Sequence, residues 1–153
     1  MLETLYILTA GFCFFAACYS GFIAMLQQKR SMFVHFAVMC LSIAAYQLFS
    51  GAYIATANLN AAIEFLRWQC FFVLLMTPSF FSFIALYTRQ KKQNFSLVII
   101  TAICILFAIV NYSQPLTIRF SAIRELQEIT LPWQQTIHLI EGTLSPWGKL
   151  MHG

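Results

Sequence analysis

Four long apolar runs, separated by short polar connections, occupy most of the first 112 residues of this 153-residue chain. A helix needs about 20 apolar residues to cross the roughly 30 Å of hydrocarbon in a bilayer. The runs therefore predict membrane spans over residues 5–26, 32–57, 68–87 and 95–112. Because hydrocarbon offers no partners to backbone polar groups, continuous apolar spans of this kind fold as helices.

The overall composition points to the same class of protein. Apolar residues make up 60% of the chain, against about 45–50% in a soluble domain, and charged residues 9%, against about 25%. So few charges cannot cover the surface of a soluble domain of this size. We predict an all-α integral membrane protein, with four transmembrane helices within residues 1–112 and a small extracytoplasmic segment with short β-strands over 113–153.

The distribution of charge predicts the orientation of the spans. The connections after the first and third runs contain basic residues and no acidic ones, namely Lys29, Arg30, Arg89, Lys91 and Lys92. All acidic residues fall on the other set of segments: Glu3, Glu64, Glu125, Glu128 and Glu141. Since Lys and Arg accumulate in short cytoplasmic loops, we interpret the five basic residues as inner-face anchors. The N-terminus and the tail then face outward.

The tail shows strand-like patterning. Apolar and polar residues alternate over 116–121, 129–133 and 136–139, which predicts short half-buried strands. The sequence RELQE at 124–128 is also compatible with a helical turn. Pro132 would place its strand at an edge or a bulge, and Gly142 and the SPWG sequence that begins at Ser145 predict turns. We expect a hairpin-like structure that covers the helix ends.

Motifs for enzyme chemistry are absent from the sequence. It contains no aspartate and no metalloprotease, serine-hydrolase, phosphate-loop or dinucleotide-binding motif. We therefore predict no catalytic residue, no metal site and no cofactor, and no nucleic-acid partner. His35, one turn inside the second span, is the one candidate for a proton relay. An interfacial histidine bonded to a neighbour or to water is the favoured interpretation.

Uncharged polar residues within the spans offer two interpretations. Buried amides and hydroxyls commonly bond membrane helices to one another, and this is the favoured role here. The alternative is a ligand-binding pocket in the outer half of the membrane, formed by Gln47, Trp68 and Gln69.

Pro78 lies halfway along the third span and is a candidate conformational hinge. Proline removes a backbone donor and bends a helix, and in membranes neighbouring groups can satisfy the freed carbonyl. Thr77 and Ser79 lie beside Pro78 and could do so. The sequence leaves open whether the bend moves or is fixed.

Two stretches resemble a known family. The sequence FLRWQCFFVLLMTPSFFSFIALYTRQKK resembles the third helix of the seven-helix membrane input region of bacterial sensor histidine kinases and some diguanylate cyclases, with Arg67, Pro78, Tyr87 and Thr88 at matching places. The tail sequence ITLPWQQTIHLIEGTLSPWGKL resembles an outward segment of the same sensors. The chain ends at Gly153, before helices five to seven and any output domain. The resemblance therefore implies an input fragment that catalyses nothing alone.

The leading hypothesis is a sensory input module in the bacterial inner membrane, multi-pass, with its N-terminus outside. Its expected partners are the lipid bilayer, a cytoplasmic output domain in the full-length protein and a second copy in a homodimer. One alternative is a complete four-helix protein that serves as a structural or assembly subunit. A small transporter is a further alternative.

Overall fold

The computed structural model describes residues 2–27, 30–89, 94–114, 116–117, 120–146 and 149, without the side chains of Arg30, Asn94 and Glu125. Within these ranges, four long helices precede an antiparallel hairpin. The helices are α1 (Leu2–Leu26), α2 (Arg30–Ala55), α3 (Leu59–Tyr87) and α4 (Asn94–Ser113). The strands are β1 (Phe120–Thr130) and β2 (Thr136–Leu144). The predicted combination of four apolar helices with a small β-structure is thus confirmed.

All four helices are long and apolar enough to cross a membrane. Large apolar side chains point away from the bundle, and Phe12, Met25 and Phe95 are each more than three-quarters exposed. On the inner side of α1, small buried residues recur at helical spacing: Ala10, Ala17, Ser20 and Ala24. Small residues let helix backbones approach closely, which is typical of helix packing in lipid.

Helix α3 begins well before the apolar run that starts at Trp68. Asn58 has extended backbone angles, and its side chain accepts hydrogen bonds from the backbone N–H groups of Asn60 and Ala61. These are first-turn donors that have no partner within a helix, so the cap fixes the start of α3 at Leu59. The added turns carry Glu64 and Arg67, whose charges hide this part of the helix from a search for apolar runs.

The hairpin is regular at its turn and irregular at its base. Residues 126–130 pair one to one with 136–140, and register shifts interrupt the ladder between Phe120 and Ala122 and again between Ile123 and Glu125. RELQE therefore forms part of β1, and the helical-turn alternative is wrong. Three local predictions were also wrong. Leu116 and Thr117 lie outside the strands, Pro132 lies in the turn between the strands, and Gly142 lies within β2.

A compact core joins the hairpin to the helices. Ala62, Ile63 and Leu66 of α3 are buried together with Phe120 and Ile140 of the two strands. Tyr53 of α2 packs against the same group. Apolar burial therefore holds the hairpin against the ends of α2 and α3.

Candidate functional site at the hairpin junction

Three helices reach the hairpin, or the connection before it, through directed hydrogen bonds. We call these contacts, made by Leu2, Tyr53 and Arg67, the hairpin junction. The first joins α1 to the hairpin turn: the backbone N–H of Leu2 donates to Oε1 of Gln135 at 2.9 Å. The indole Nε1 of Trp133 donates to the same oxygen at 3.1 Å. One side chain thus fixes both the first turn of α1 and the turn's aromatic residue.

The second contact joins α2 to strand β2. The backbone N–H of Ile140 donates to the phenol oxygen of Tyr53 at 2.9 Å. Ile140 is buried and lies opposite Leu126 of β1. Its backbone N–H nevertheless points to α2. A buried N–H without a partner costs about 1–3 kcal/mol, so the Tyr53 hydroxyl stabilises this edge of the hairpin.

The third contact joins α3 to the connection between α4 and β1. Arg67 donates from Nε to the carbonyl of Leu116 at 3.0 Å and from Nη2 to the carbonyl of Gln114 at 2.9 Å. Its Nη1 forms an ion pair with Glu64, one turn earlier on α3. The planar guanidinium can serve all three groups at once because its donors form a rigid fork.

Arg67 is also connected to α4 through its backbone. Nδ2 of Asn111 donates to the carbonyl oxygen of Arg67 at 3.2 Å, and the Asn111 side chain is fully buried. The ends of α3 and α4 nearest the hairpin are therefore joined at the residue that holds the α4–β1 connection. A displacement of the hairpin would act on both helices at this point.

These contacts show which end of each helix lies near the hairpin. The start of α1, the end of α2, the start of α3 and the end of α4 lie at the hairpin end of the bundle. Arg30, the first residue of α2, and Arg89, which follows α3 with a φ of 52°, lie at the opposite end. Of the remaining predicted inner-face anchors, Lys29, Lys91 and Lys92 lie outside the described residues.

The comparisons with known proteins identify the family of the chain. The model of the N-terminal 7TM region of histidine kinase matches residues 5–152. The chain belongs to this family. No curated protein and no solved structure matches the chain. The family's membrane sensor region is not a catalytic domain, in agreement with the lack of catalytic motifs in the sequence.

In this histidine kinase 7TM region, the predicted ligand-binding residues fall into two places. Trp68 stacks on Phe49 of α2 with ring centroids 5.8 Å apart, and Nε2 of Gln69 donates to the Phe49 carbonyl at 3.2 Å. Further rings extend this packing around Trp68: Phe65, Phe71, Phe72 and Tyr112. Gln69 therefore bonds two helices together, which is the favoured interpretation of the polar residues.

Gln47 faces the other side of α2. It lines a cleft of about 300 Å³ between α1 and α2. The residues that line this α1–α2 cleft are Glu3, Tyr6, Ile7, Gln47, Leu48, Gly51, Ala52 and Ala55. Residues 47 and 49 are two positions apart, so about 200° of helix rotation separates their side chains. The ligand-binding role of Gln47, Trp68 and Gln69 stays a prediction, with Gln47 apart from the other two.

Pro78 lies inside a helix that continues from Leu59 to Tyr87. The hydroxyl of Thr77 donates to the carbonyl of Val73 at 2.9 Å, and that of Ser79 to the carbonyl of Leu75 at 3.0 Å. These carbonyls flank that of Leu74, which the proline frees. The two hydroxyls therefore do not serve the freed carbonyl, and the hinge itself stays a prediction.

An apolar cavity of about 110 Å³ lies between α3 and α4. Its walls come from α3 and α4: Phe71, Leu74, Leu75, Thr101, Cys104, Ile105 and Ala108. The Thr101 hydroxyl donates to the Leu97 carbonyl of its own helix at 2.7 Å, so its bonding need is met locally. The cavity leaves room on one side of α3 just before Pro78.

Several junction residues were missed by sequence reasoning. Gln135 and Tyr53 act through partners that are distant in the chain, and no local pattern marks them. Asn111 left a weak signal, as an amide near the end of an otherwise apolar run. In the described part of the chain, no group of three or more His, Cys, Asp or Glu residues could hold a metal ion.

Proposed function

We propose that the chain is the membrane-embedded sensory input region of a bacterial signal-transduction protein, and that the hairpin junction couples events outside the cell to the helices. The observation that carries the proposal is the family match over residues 5–152, which describes the N-terminal membrane region of a histidine kinase. The output domain, in this proposal, lies beyond the present chain in the full-length protein.

The proposed orientation has the hairpin and the N-terminus outside the bacterial plasma membrane. Two observations support it. The hydrogen bond from Leu2 to Gln135 puts the N-terminus at the hairpin end, and Arg30 and Arg89 lie at the other end. Positive charge in short loops favours the cytoplasmic side.

Signal transmission would follow from the junction. Hydrogen bonds connect α1, α2 and α3 to different parts of the hairpin segment, and Asn111 connects α4 to Arg67. A stimulus shifts an equilibrium between two arrangements of the helices only if it binds these arrangements with different free energies. A stimulus that moves the hairpin would change the relative positions of the helix ends, and the bend at Pro78 is where α3 would absorb the change.

Reporter fusions test the orientation. We expect alkaline phosphatase, which is active only outside the cytoplasm, to be active when fused after Ala57 and after Gln114. Green fluorescent protein fused after Arg89 should be fluorescent, because that connection is expected inside. The reverse pattern would contradict the proposed orientation.

The full-length gene product tests the sensory role. In membrane vesicles, we expect Tyr53→Phe to change histidine phosphorylation from ATP, or cyclic dinucleotide formation from GTP, by about fivefold, since one hydrogen bond is worth about 1 kcal/mol. Tyr19→Phe is the matched control, because the side chain of Tyr19 is exposed on the surface of α1. Equal output from both variants and the unchanged protein would refute a signalling role for the junction.

A further inference from the structure

The α1–α2 cleft has the size and the lining of a small-molecule site. Its volume of about 300 Å³ lies at the lower end of the range of about 300–1,000 Å³ found for ligand pockets. Its walls include Ile7, Leu48 and Ala52, and three of its lining residues, a glutamate, a tyrosine and a glutamine, have polar side chains. Pockets with mostly apolar walls and a few converging polar groups are typical of ligand sites.

The polar groups define the charge of the ligand. Glu3 contributes an acceptor-only carboxylate, whereas the side chains of Tyr6 and Gln47 can both donate and accept. None of the described residues that line the cleft is basic. A cation is attracted to the Glu3 carboxylate, and an anion is repelled by it.

The helix positions define the length of the ligand. Glu3 lies in the first turn of α1, next to the end of α2 at Ala55, whereas Gln47 lies eight residues earlier on α2. At 1.5 Å of rise per residue, about 12 Å separates the level of Ala55 from that of Gln47. A ligand that spans the cleft would have its charge near the outer end and its body between the helices.

We propose that the α1–α2 cleft binds a small organic ammonium ion with an apolar body, held by the Glu3 carboxylate. Binding at Glu3 would act next to Leu2, whose N–H is bonded to Gln135 of the hairpin turn. This consequence rests on the proposed sensory function, whereas the binding itself does not. The ammonium group can come from a free amine or from the headgroup of phosphatidylethanolamine.

Equilibrium binding of tritiated phenethylamine to the purified full-length protein in maltoside micelles tests the proposal. We expect saturable binding that 2-phenylethanol and phenylacetate, the neutral and anionic analogues, displace poorly. Glu3→Gln should weaken the binding about tenfold or more, because a hydrogen bond to a charged group is lost. The matched control is Glu128→Gln, an exposed glutamate on β1 outside the cleft, which should bind as the unchanged protein does.

A second pair of variants tests the place of binding. Ala52→Leu should fill the cleft and weaken binding, whereas Ala102→Leu, at an exposed site on α4, should not. Thermal melting of each variant identifies any that fails to fold, and Ala55→Leu then replaces Ala52→Leu. Competition of added phosphatidylethanolamine with the probe would support the ammonium site and assign its source to the lipid.

Three results would overturn the proposal: no saturable binding, equal affinity of the two glutamate variants, or equal displacement by 2-phenylethanol. None of these results would contradict the sensory role, because the reporter-fusion activities and the output of Tyr53→Phe are measured without a ligand. Conversely, binding that depends on Glu3 would stand even if the output of Tyr53→Phe were unchanged.

Discussion

The backbone N–H of Leu2 donates a hydrogen bond to Oε1 of Gln135, 133 positions later in the chain, at 2.9 Å. The first turn of a helix has N–H groups without intrahelical partners, and here a side chain from the hairpin turn supplies one. The start of α1 and the tip of the hairpin are therefore stabilised together. Local opening of one exposes polar groups of the other.

Removal of the Gln135 amide should loosen both segments. We expect Gln135→Ala to lower the free energy of unfolding by about 1 kcal/mol, as the loss of a helix cap does. Amide hydrogen exchange should become faster in the first turn of α1 and in residues 131–135. Hydrogen exchange followed by mass spectrometry measures this. Gln127→Ala, at an exposed position of β1, is the control and should leave the first turn of α1 unchanged.

Arg67 should not be replaceable by lysine. A lysine keeps the charge but has no planar fork to serve Glu64 and the carbonyls of Gln114 and Leu116 together. We expect Arg67→Lys to lower the free energy of unfolding by about 2 kcal/mol and to make residues 113–117 more sensitive to protease.

Arg124→Lys supplies the comparison for Arg67, because Arg124 is exposed on β1. The melting temperature and the rate of limited proteolysis are measured for both variants. If the two behaved alike, the argument that the fork of Arg67 holds the α4–β1 connection would be wrong.

Gly142 should tolerate no side chain. A Cβ at this position would clash with the carbonyl oxygen of Ala122 on the opposite strand, at the irregular part of the ladder. Because that atom belongs to the backbone, the strands must separate, and we expect Gly142→Ala to destabilise the hairpin by about 1–3 kcal/mol. Hydrogen exchange across residues 120–144 checks this.

Gly21→Ala is the matched substitution for Gly142→Ala. A Cβ at Gly21 meets nothing within 4 Å, and alanine is favoured over glycine within a helix by about 0.5–1 kcal/mol. This variant should therefore be neutral or slightly stabilised. A hairpin unaffected by Gly142→Ala would show that the bulge can shift without cost.

Pro78→Ala should stabilise α3. Alanine restores an N–H that can donate to the carbonyl of Leu74, and an internal proline costs a helix about 3 kcal/mol in water. We expect a higher melting temperature and slower hydrogen exchange around residue 78. Thr77→Val, which removes only the hydroxyl bonded to Val73, should change both measurements much less.

The outcome for Pro78 also separates a moving hinge from a fixed bend. If the bend moves during signalling, Pro78→Ala should lock the output of the full-length protein at one level. A stabilised protein with normal output would indicate a fixed bend. A destabilised protein would show that the packing around the α3–α4 cavity requires the shape of proline.

Much of the secondary structure was predictable because local patterns carry it. An apolar run near 20 residues has few alternatives to a helix, so four helices could be expected from run length alone. Period-two alternation likewise marked Ile137 and Leu139 as strand residues, and both lie in β2. The start of α3 was not predictable in this way, because Glu64 and Arg67 interrupt the apolar run and the cap at Asn58 is a short polar signal.

The amino-acid sequence by itself determined that the chain forms long apolar helices followed by a small β-structure, since run length and residue periodicity are local properties. Only the tertiary structure decided which polar groups meet. Gln47 faces α1 and Gln69 faces α2 because each helix has several neighbours and its pattern does not say which one a side chain meets. The contacts of Leu2 with Gln135 and of Tyr53 with Ile140 arise because folding brings distant donors and acceptors together, and buried polar groups must find partners.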